Sequence, residues 1–146
     1  MLTVIRTPGK DAPIRPPETL TDLERIIDTA RRSGIEIDTA IDAAERQGLS
    51  LELQTAICAA LCEALSNTAR HAGPTRARVA VAATTDRVQM EVHDDGSSPG
   101  WRSERGTGNG LIRIRTRVSL RGGTLTTAPT ARGFSLVVEM PRSEDA

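Results

Sequence analysis

Three polar side chains recur at helical spacing in the segment Glu63-Ala64-Leu65-Ser66-Asn67-Thr68-Ala69-Arg70-His71-Ala72. The segment lies in a predicted helix that Ser50 caps and that continues to about His71. Glu63, Asn67 and His71 are four residues apart, so on a helix they form one polar stripe. The stripe borders an apolar face that is predicted to pack inward and to contain Leu53, Ile57, Leu61 and Leu65.

The stripe combines a carboxylate with a carboxamide, and the guanidinium of Arg70 lies beside it. These groups suit a hydrated Mg²⁺ ion with a polyphosphate, because oxygen donors match the hard cation and arginine pairs with phosphate. A carboxylate such as that of Glu63 can also hold or activate a metal-bound water. The alternative is an ordinary amphipathic helix with a solvated face, which this helix by itself favours.

A second candidate is Asp94, just past the end of a predicted strand and two residues before Gly96. A carboxylate fixed at a strand terminus can accept a hydrogen bond from an exocyclic amine such as adenine N6. The glycine allows a ligand to approach the backbone closely. An Asp-Asp-Gly sequence is also a common turn, so this motif alone is weak.

A further predicted helix opens with the glycine-rich segment Gly106-Thr107-Gly108-Asn109-Gly110-Leu111. Backbone amides of a glycine-rich loop at a helix N-terminus form an anion-binding site. The segment is not a Walker A loop, which needs Gly-Lys-Ser/Thr, and it does not match the dinucleotide-binding pattern G-x-G-x-x-G. The alternative is a flexible hinge.

The predicted elements alternate as α-β-α-β-β-loop-α-β-β, without an internal repeat. A proline-rich linker over 6–18 precedes them. The loop over 94–110 is long for a compact domain, which is typical of a functional lid. The predicted elements are a helix ending near Gly34, a strand Ile35–Ile41, a helix Ser50–His71, strands Arg76–Ala83 and Arg87–His93, a helix Leu111–Leu120, and strands Thr124–Ala128 and Phe134–Met140.

Composition excludes several classes of protein. A length of 146 residues fits one domain. The formal net charge of zero lacks the basic bias that is typical of a nucleic-acid binder. Aromatic residues are 1% of the chain, so the core must be aliphatic and stacking platforms for single-stranded nucleic acid are absent. Cys58 and Cys62 are predicted to be buried free thiols of a reducing compartment. Without a signal peptide or an apolar run of roughly 20 residues, the sequence predicts a soluble cytoplasmic domain that contacts no membrane.

The order and spacing of the three motifs resemble the N, G1 and G2 boxes of the Bergerat-fold (GHKL) ATPases. Within that superfamily, segment 63–72 and the tail from Gly110-Leu111 to Met140-Pro141 are similar to NarX/DesK-type sensor histidine kinases. The resemblance extends from about Leu20 to Pro141. It implies a two-layer α/β sandwich, the Bergerat fold, with a mixed, mainly antiparallel sheet, helices on one face and a glycine-rich ATP lid.

The resemblance also implies two cofactors, ATP and Mg²⁺, and a role for each motif residue. The implied catalytic residues are Asn67, which ligates Mg²⁺, and Glu63, which holds or polarises a metal-bound water or the attacking group. Asp94 binds the adenine amine and Gly96 lets the base approach. Arg70 binds phosphate, and His71 has a supporting role in the ATP site. Gly106, Gly108 and Gly110 wrap the triphosphate as a lid, and Thr107 and Leu111 of the same segment are further ATP-binding residues.

The sequence departs from the kinase pattern at three places. The pattern Gly-Met-Arg-Glu-Arg is replaced by residues 113–117, which read Arg-Ile-Arg-Thr-Arg. A Gly-Thr pair, whose hydroxyl lies near adenine through water, is replaced by Gly133-Phe134. The second glycine after Asp-x-Gly is replaced by Ser97-Ser98-Pro99. The altered positions 113, 116 and 134 add weight to an alternative, a non-catalytic interaction module with a degenerate pocket, although all the presumed metal and adenine positions are filled.

By this resemblance the chain divides into three regions. Residues 1–18 are a linker whose first six residues resemble the end of a dimerisation helix, 19–142 are the ATP-binding catalytic domain, and 143–146 are a tail. The implied function is to transfer the γ-phosphoryl of Mg-ATP to a histidine on a separate dimerisation domain, and indirectly to serve a response regulator. The excised domain is expected to be monomeric and unable to autophosphorylate alone, and the resemblance allows a membrane anchor in the full-length kinase. An alternative with the same fold is a free-standing anti-sigma factor serine kinase.

Overall fold

The computed structural model describes residues 19–41, 48–102 and 109–142. Its elements follow the predicted order, with bounds that differ from the predicted ones by a residue or two. The predicted linker, the tail and the lid residues Gly106, Thr107 and Gly108 lie outside the described residues. The elements are a 3₁₀ turn Leu20–Asp22, α1 Leu23–Arg32, β1 Glu36–Ile41, α2 Leu51–His71, β2 Arg76–Ala83, β3 Arg87–Asp94, α3 Asn109–Leu120, β4 Thr124–Pro129 and β5 Phe134–Pro141.

The five strands form one sheet in the order β1-β2-β3-β5-β4. β1 runs parallel to β2, whereas the other neighbouring pairs are antiparallel. The predicted mixed, mainly antiparallel sheet is therefore confirmed. The register pairs Asp94, the last residue of β3, with Phe134, the first residue of β5, so both residues lie at one end of the sheet.

One face of this sheet carries the hydrophobic core. Successive strand residues point to opposite faces, and the buried set includes Val79, Met90 and Val138. These residues form one cluster with the buried residues of α1, α2 and α3. On the opposite face, side chains such as that of Arg78 are exposed. The described helices thus cover a single face, which confirms the two-layer α/β sandwich.

The long helix α2 crosses the core and carries most of the predicted site residues. The hydroxyl of Ser50 accepts a hydrogen bond from the N–H of Leu53 at 3.2 Å, which confirms the predicted N-cap. At the other end Gly73 has a φ of +68°, a conformation that favours glycine. Its N–H and that of Ala72 both donate to the carbonyl of Thr68. The helix therefore stops where the sequence predicts.

The two cysteines lie in α2, and neither forms a disulfide. Cys58 is buried, as predicted, and its thiol donates to the carbonyl of Thr19 at 3.1 Å. The prediction for Cys62 was wrong, because this residue is only half-buried and lines two surface grooves. Across residues 19–41, 48–102 and 109–142, no helix has the length and apolar character to span a bilayer.

Candidate functional site

A cavity of about 680 Å³ opens between α2, the start of α3 and the paired ends of β3 and β5. It brings together Asn67 and Asp94, which are far apart in the sequence and belong to different layers of the fold. Their common cleft is the arrangement that the resemblance implies. The lining residues are Glu63, Ala64, Asn67, Thr68, Arg70, His71, Val92, Asp94, Gly110, Leu111, Arg113, Phe134 and Leu136.

At one end of the cavity a guanidinium bridges the polar stripe of α2. Nη2 of Arg70 lies 3.3 Å from Oε2 of Glu63 and also contacts Oδ1 of Asn67. The pair is mostly shielded from water, since the side chain of Glu63 is 20% exposed and that of Arg70 is 30% exposed. A positive group therefore already lies against the two oxygens that the resemblance assigns to Mg²⁺.

At the other end of the cavity the carboxylate of Asp94 is held by two different parts of the chain. Its Oδ1 accepts a hydrogen bond from the N–H of Gly96 at 2.9 Å. Its Oδ2 lies 3.4 Å from the hydroxyl of Thr68 on α2. Asp94 itself is the last residue of β3 rather than the residue after it. The carboxylate is thus fixed in direction, beside apolar lining from Val92 and Leu136.

Two glycines allow β3 and β5 to approach each other at this end. Gly96 has a φ of +88°, and a Cβ there would overlap the carbonyl of Arg132. A Cβ on Gly133 would overlap the backbone of Asp94 and of Gly96. Gly96 is not among the lining residues of the cavity, so in this structure it acts on Asp94 through its N–H and through close backbone packing.

The start of α3 packs directly on the acidic residue of α2. Gly110 is buried as the second residue of α3, and a Cβ there would overlap the carboxyl group of Glu63. The carboxylate therefore lies at the N-terminus of a helix, where the backbone dipoles favour negative charge. Leu111 lines the cavity next to it.

A comparison with known protein families agrees with this geometry. Residues 28–133 match the family described as the histidine kinase-like ATPase domain. The chain belongs to this family. The resemblance that the sequence motifs indicated is therefore confirmed.

Its relatives include sensor histidine kinases. The chain is 38% identical over 117 residues to the sensor histidine kinase NarS of Mycobacterium tuberculosis. The matched region covers 77% of this chain and 27% of NarS. It is also 26% identical over 110 residues to the sensor histidine kinase LnrJ of Bacillus subtilis, and this matched region covers 75% of the chain and 26% of LnrJ. The chain thus spans about a quarter of the length of these curated relatives.

Solved structures share the fold. The mycobacterial sensor histidine kinase MprB is 20% identical to this chain with a TM-score of 0.61, over 88% of this chain and 97% of that one. The blue-light activated histidine kinase of Erythrobacter litoralis is 19% identical with a TM-score of 0.65, over 86% of this chain and 46% of that one. At these identities the likeness concerns the architecture.

Within this histidine kinase-like ATPase domain, two departures from the kinase pattern lie at the cavity. Phe134 lines it and is 42% exposed, across the strand pair from Asp94. An apolar ring therefore stands where the kinase pattern has a hydroxyl. Arg113 lines the cavity near Glu63, where the pattern has a glycine. Both substitutions change the surface offered to a ligand while leaving the cavity open.

The end of α2 is also capped by a loop whose role sequence reasoning missed. The indole N–H of Trp101 donates to the carbonyl of Arg70 at 3.2 Å, and its ring packs over Gly73. The hydroxyl of Ser97 donates to the carbonyl of His71 at 3.1 Å. Since the last carbonyls of a helix lack partners within the helix, these bonds fix its final turn. His71 is exposed there, at the edge of the cavity.

Thr68 was missed as well. It is buried, and its hydroxyl lies 3.1 Å from the carbonyl of Ala64 as well as close to Asp94. Its place on α2, directly after Asn67, was the available signal, because the inward-facing residues of this helix include Ala64 and Leu65. A buried hydroxyl among such residues requires a polar partner.

Proposed function

We propose that this domain binds Mg-ATP in the cavity and transfers the γ-phosphoryl group to a histidine on a separate dimerisation domain. The observation that supports this proposal best is the common cavity of Asn67 and Asp94, with one group suited to a hard cation and the other to an exocyclic amine. The family match and the sensor kinase relatives agree with it.

The adenine base lies at the Asp94 end. An ionised carboxylate only accepts hydrogen bonds, so it pairs with the 6-amino group of adenine and repels the 6-oxo group of guanine. The N–H of Gly96 holds the carboxylate in place. Apolar contacts from Val92, Leu136 and Phe134 cover the faces of the base.

The phosphates and Mg²⁺ lie at the other end. Glu63 and Asn67 offer the two oxygens for the metal or its waters, and they fit a cation because the guanidinium of Arg70 already contacts both. Within the described ranges no three His, Cys, Asp or Glu side chains cluster as a metal site. This suits Mg²⁺, which is held by one or two protein groups together with phosphate oxygens and water. When bound, Mg²⁺ neutralises charge that develops on the phosphates.

Arg70 and the start of α3 complete the phosphate site. On binding, Arg70 exchanges its contacts with Glu63 and Asn67 for phosphate oxygens, while His71 supports the end of the helix. We expect Gly106, Gly108 and Gly110 to wrap the triphosphate as a lid, with Thr107 and Leu111 as further ATP-binding residues. Backbone amides at the N-terminus of α3 add to the attraction for anions.

In the transfer itself, a nitrogen of the acceptor histidine forms a bond to the γ-phosphorus. The bond from that phosphorus to the β–γ bridging oxygen breaks, and its electron pair leaves with ADP. The domain contributes positioning and charge neutralisation, and Glu63 polarises the attacking group or a metal-bound water. The acceptor is the dimerisation domain of the same kinase, a response regulator follows it, and the reaction takes place on the cytoplasmic side.

Isothermal titration with Mg²⁺ and a non-hydrolysable ATP analogue tests nucleotide binding. Asp94→Asn replaces one acceptor oxygen with a donor, so we expect affinity to fall at least about tenfold. Asp95→Asn is the matched control, because its neighbouring carboxylate is exposed and outside the cavity. Failure of the parent domain to bind, or equal affinity of Asp94→Asn and the parent, would contradict the proposal.

A second experiment tests the transfer. The domain is mixed with the dimerisation domain of its kinase and γ-labelled Mg-ATP, and acid-labile label on histidine is measured. We expect label on the acceptor with the parent domain and little with Glu63→Gln. Label on serine of an added small protein, and none on histidine, would instead favour the serine kinase alternative.

A further inference from the structure

Arg113 is a cavity residue with no hydrogen-bond or ion-pair partner among the residues that the structure describes. It lies in the first turns of α3 and lines the same cavity as Glu63 and Arg70. In the described part of the chain, residues 19–41, 48–102 and 109–142, its guanidinium makes no hydrogen bond or ion pair. By contrast, Arg70 is engaged by two side chains of α2. As far as the described residues show, a ligand can therefore reach Arg113 without breaking an existing contact, whereas Arg70 must give up its contacts first.

The charges around the cavity explain why such a cation is needed. The lining residues include two carboxylates, of Glu63 and Asp94, and two guanidiniums, of Arg70 and Arg113. Without Arg113 the carboxylates would exceed the guanidiniums, and an anionic ligand would meet a net negative surface. The single lysine of the sequence, Lys10, lies outside the described residues. Arg113 makes the lining neutral before any metal binds.

The position of Arg113 on its helix directs its charge toward the phosphate end. It follows Gly110 by three residues, so the two lie on the same face of α3. Long side chains on a helix lean toward its N-terminus. A side chain that leans this way points toward the end of α3 where unpaired N–H groups and the helix dipole favour anions. The charge of Arg113 and the positive end of the α3 dipole would therefore both attract the phosphates.

We propose that Arg113 is a second phosphate-binding residue, which contacts the terminal phosphates of the bound nucleoside triphosphate. This inference rests on the proposed nucleotide binding and extends it to a position where this sequence has arginine and the kinase pattern has glycine. A guanidinium forms two parallel hydrogen bonds with a phosphate group, which gives both affinity and orientation. The expected consequence is selectivity for ATP over adenosine that depends on residue 113.

The test is isothermal titration of the intact domain with a non-hydrolysable ATP analogue and Mg²⁺, and separately with adenosine. Arg113→Gln keeps most of the side chain but removes its charge. We expect it to bind the ATP analogue about tenfold more weakly and adenosine as tightly as the parent. Arg113→Lys keeps the charge and should recover part of the loss. Added salt should weaken ATP binding less in Arg113→Gln than in the parent.

Arg115→Gln is the matched control, because Arg115 is an exposed residue of the same helix that lies outside the cavity. It should bind both ligands like the parent. The Arg113 inference is overturned if Arg113→Gln keeps the parent's affinity for the ATP analogue, if it loses affinity for adenosine to the same degree, or if Arg115→Gln loses as much. Binding of neither ligand by the parent would instead overturn the proposed function, and the Arg113 inference with it.

Discussion

The hydroxyl of Thr68 lies 3.4 Å from the carboxylate of Asp94 and so links helix α2 to the end of strand β3. The same helix carries Glu63 and Asn67 at the other end of the cavity. The two ends of the proposed nucleotide site are therefore held in register by a buried side chain. Disturbing this link should change ligand binding more than it changes the fold.

Thr68→Val tests this link, since valine has a similar shape but no hydroxyl. We expect nucleotide affinity to fall about threefold, because a long hydrogen bond is worth about 0.5–1 kcal/mol. Titration with the ATP analogue measures it. Thr68→Ser keeps the hydroxyl and is expected to bind like the parent. Equal affinities of the valine and serine variants would show that the hydroxyl has no part in orienting Asp94.

Gly110→Ala tests the packing of α3 on Glu63. The new Cβ would overlap the end of a flexible side chain, so the carboxylate is expected to move away at little cost to the fold. Alanine also raises helix propensity by about 1 kcal/mol. We expect an unchanged or higher melting temperature, together with reduced dependence of nucleotide binding on Mg²⁺. Thermal unfolding and titrations at several Mg²⁺ concentrations measure the two effects.

Glu63→Ala provides the comparison for that variant. It should show the same reduced dependence on Mg²⁺, and combining the two substitutions should add little, because both act on one carboxylate. A large additional loss in the double variant would mean that Gly110 acts on something other than Glu63.

Gly133→Ala tests the close approach of β3 and β5. Its Cβ would overlap rigid backbone at Asp94 and Gly96, so we expect a loss of about 2–3 kcal/mol in the free energy of unfolding. Gly100→Ala is the control, because that glycine has a φ of +79° but open space around it. The backbone strain of a side chain at this φ, without any overlap, should lower the free energy of unfolding by about 1–2 kcal/mol. Chemical denaturation measures both. A Gly133→Ala variant as stable as the parent would refute the close approach.

Trp101→Phe tests the cap on the end of α2. Phenylalanine keeps a ring over Gly73 but cannot donate to the carbonyl of Arg70. We expect a loss of about 1 kcal/mol, which corresponds to a fall in Tm of about 3 °C. Because Trp101 is the single tryptophan of the sequence, the parent's fluorescence also reports unfolding at this position. An unchanged Tm would mean that water replaces the indole N–H without cost.

The elements of the fold were predictable because their causes are local. The N-cap of Ser50 and the stop at Gly73 depend on the chain near α2 itself. Apolar and acidic residues alternate at the start of the predicted strand Ile35–Ile41, and its Ile35 and Ile37 are buried. The helix predicted from Leu111 begins at Asn109 instead. The difference lies at the glycine-rich start of the helix, where no large apolar side chain before Leu111 could reveal helical periodicity.

The cavity itself was not predictable from periodicity. The meeting of Asn67 and Asp94 came from the order of three motifs, which only resemblance to a known family could interpret. Thr68 and Trp101 were missed because their partners, Asp94 and Arg70, are distant in sequence. Gly133 was missed as a packing position because the need for glycine arises from a neighbouring strand. Such requirements appear only when the elements are assembled.

The most direct measurement is a crystal structure of this domain with Mg²⁺ and a non-hydrolysable ATP analogue. We expect the 6-amino group of adenine within hydrogen-bonding distance of the Asp94 carboxylate and Mg²⁺ on the side-chain oxygen of Asn67, with both contacts made by one nucleotide. A nucleotide bound outside this cavity, or one that contacts only one of these two residues, would contradict a single site that spans both.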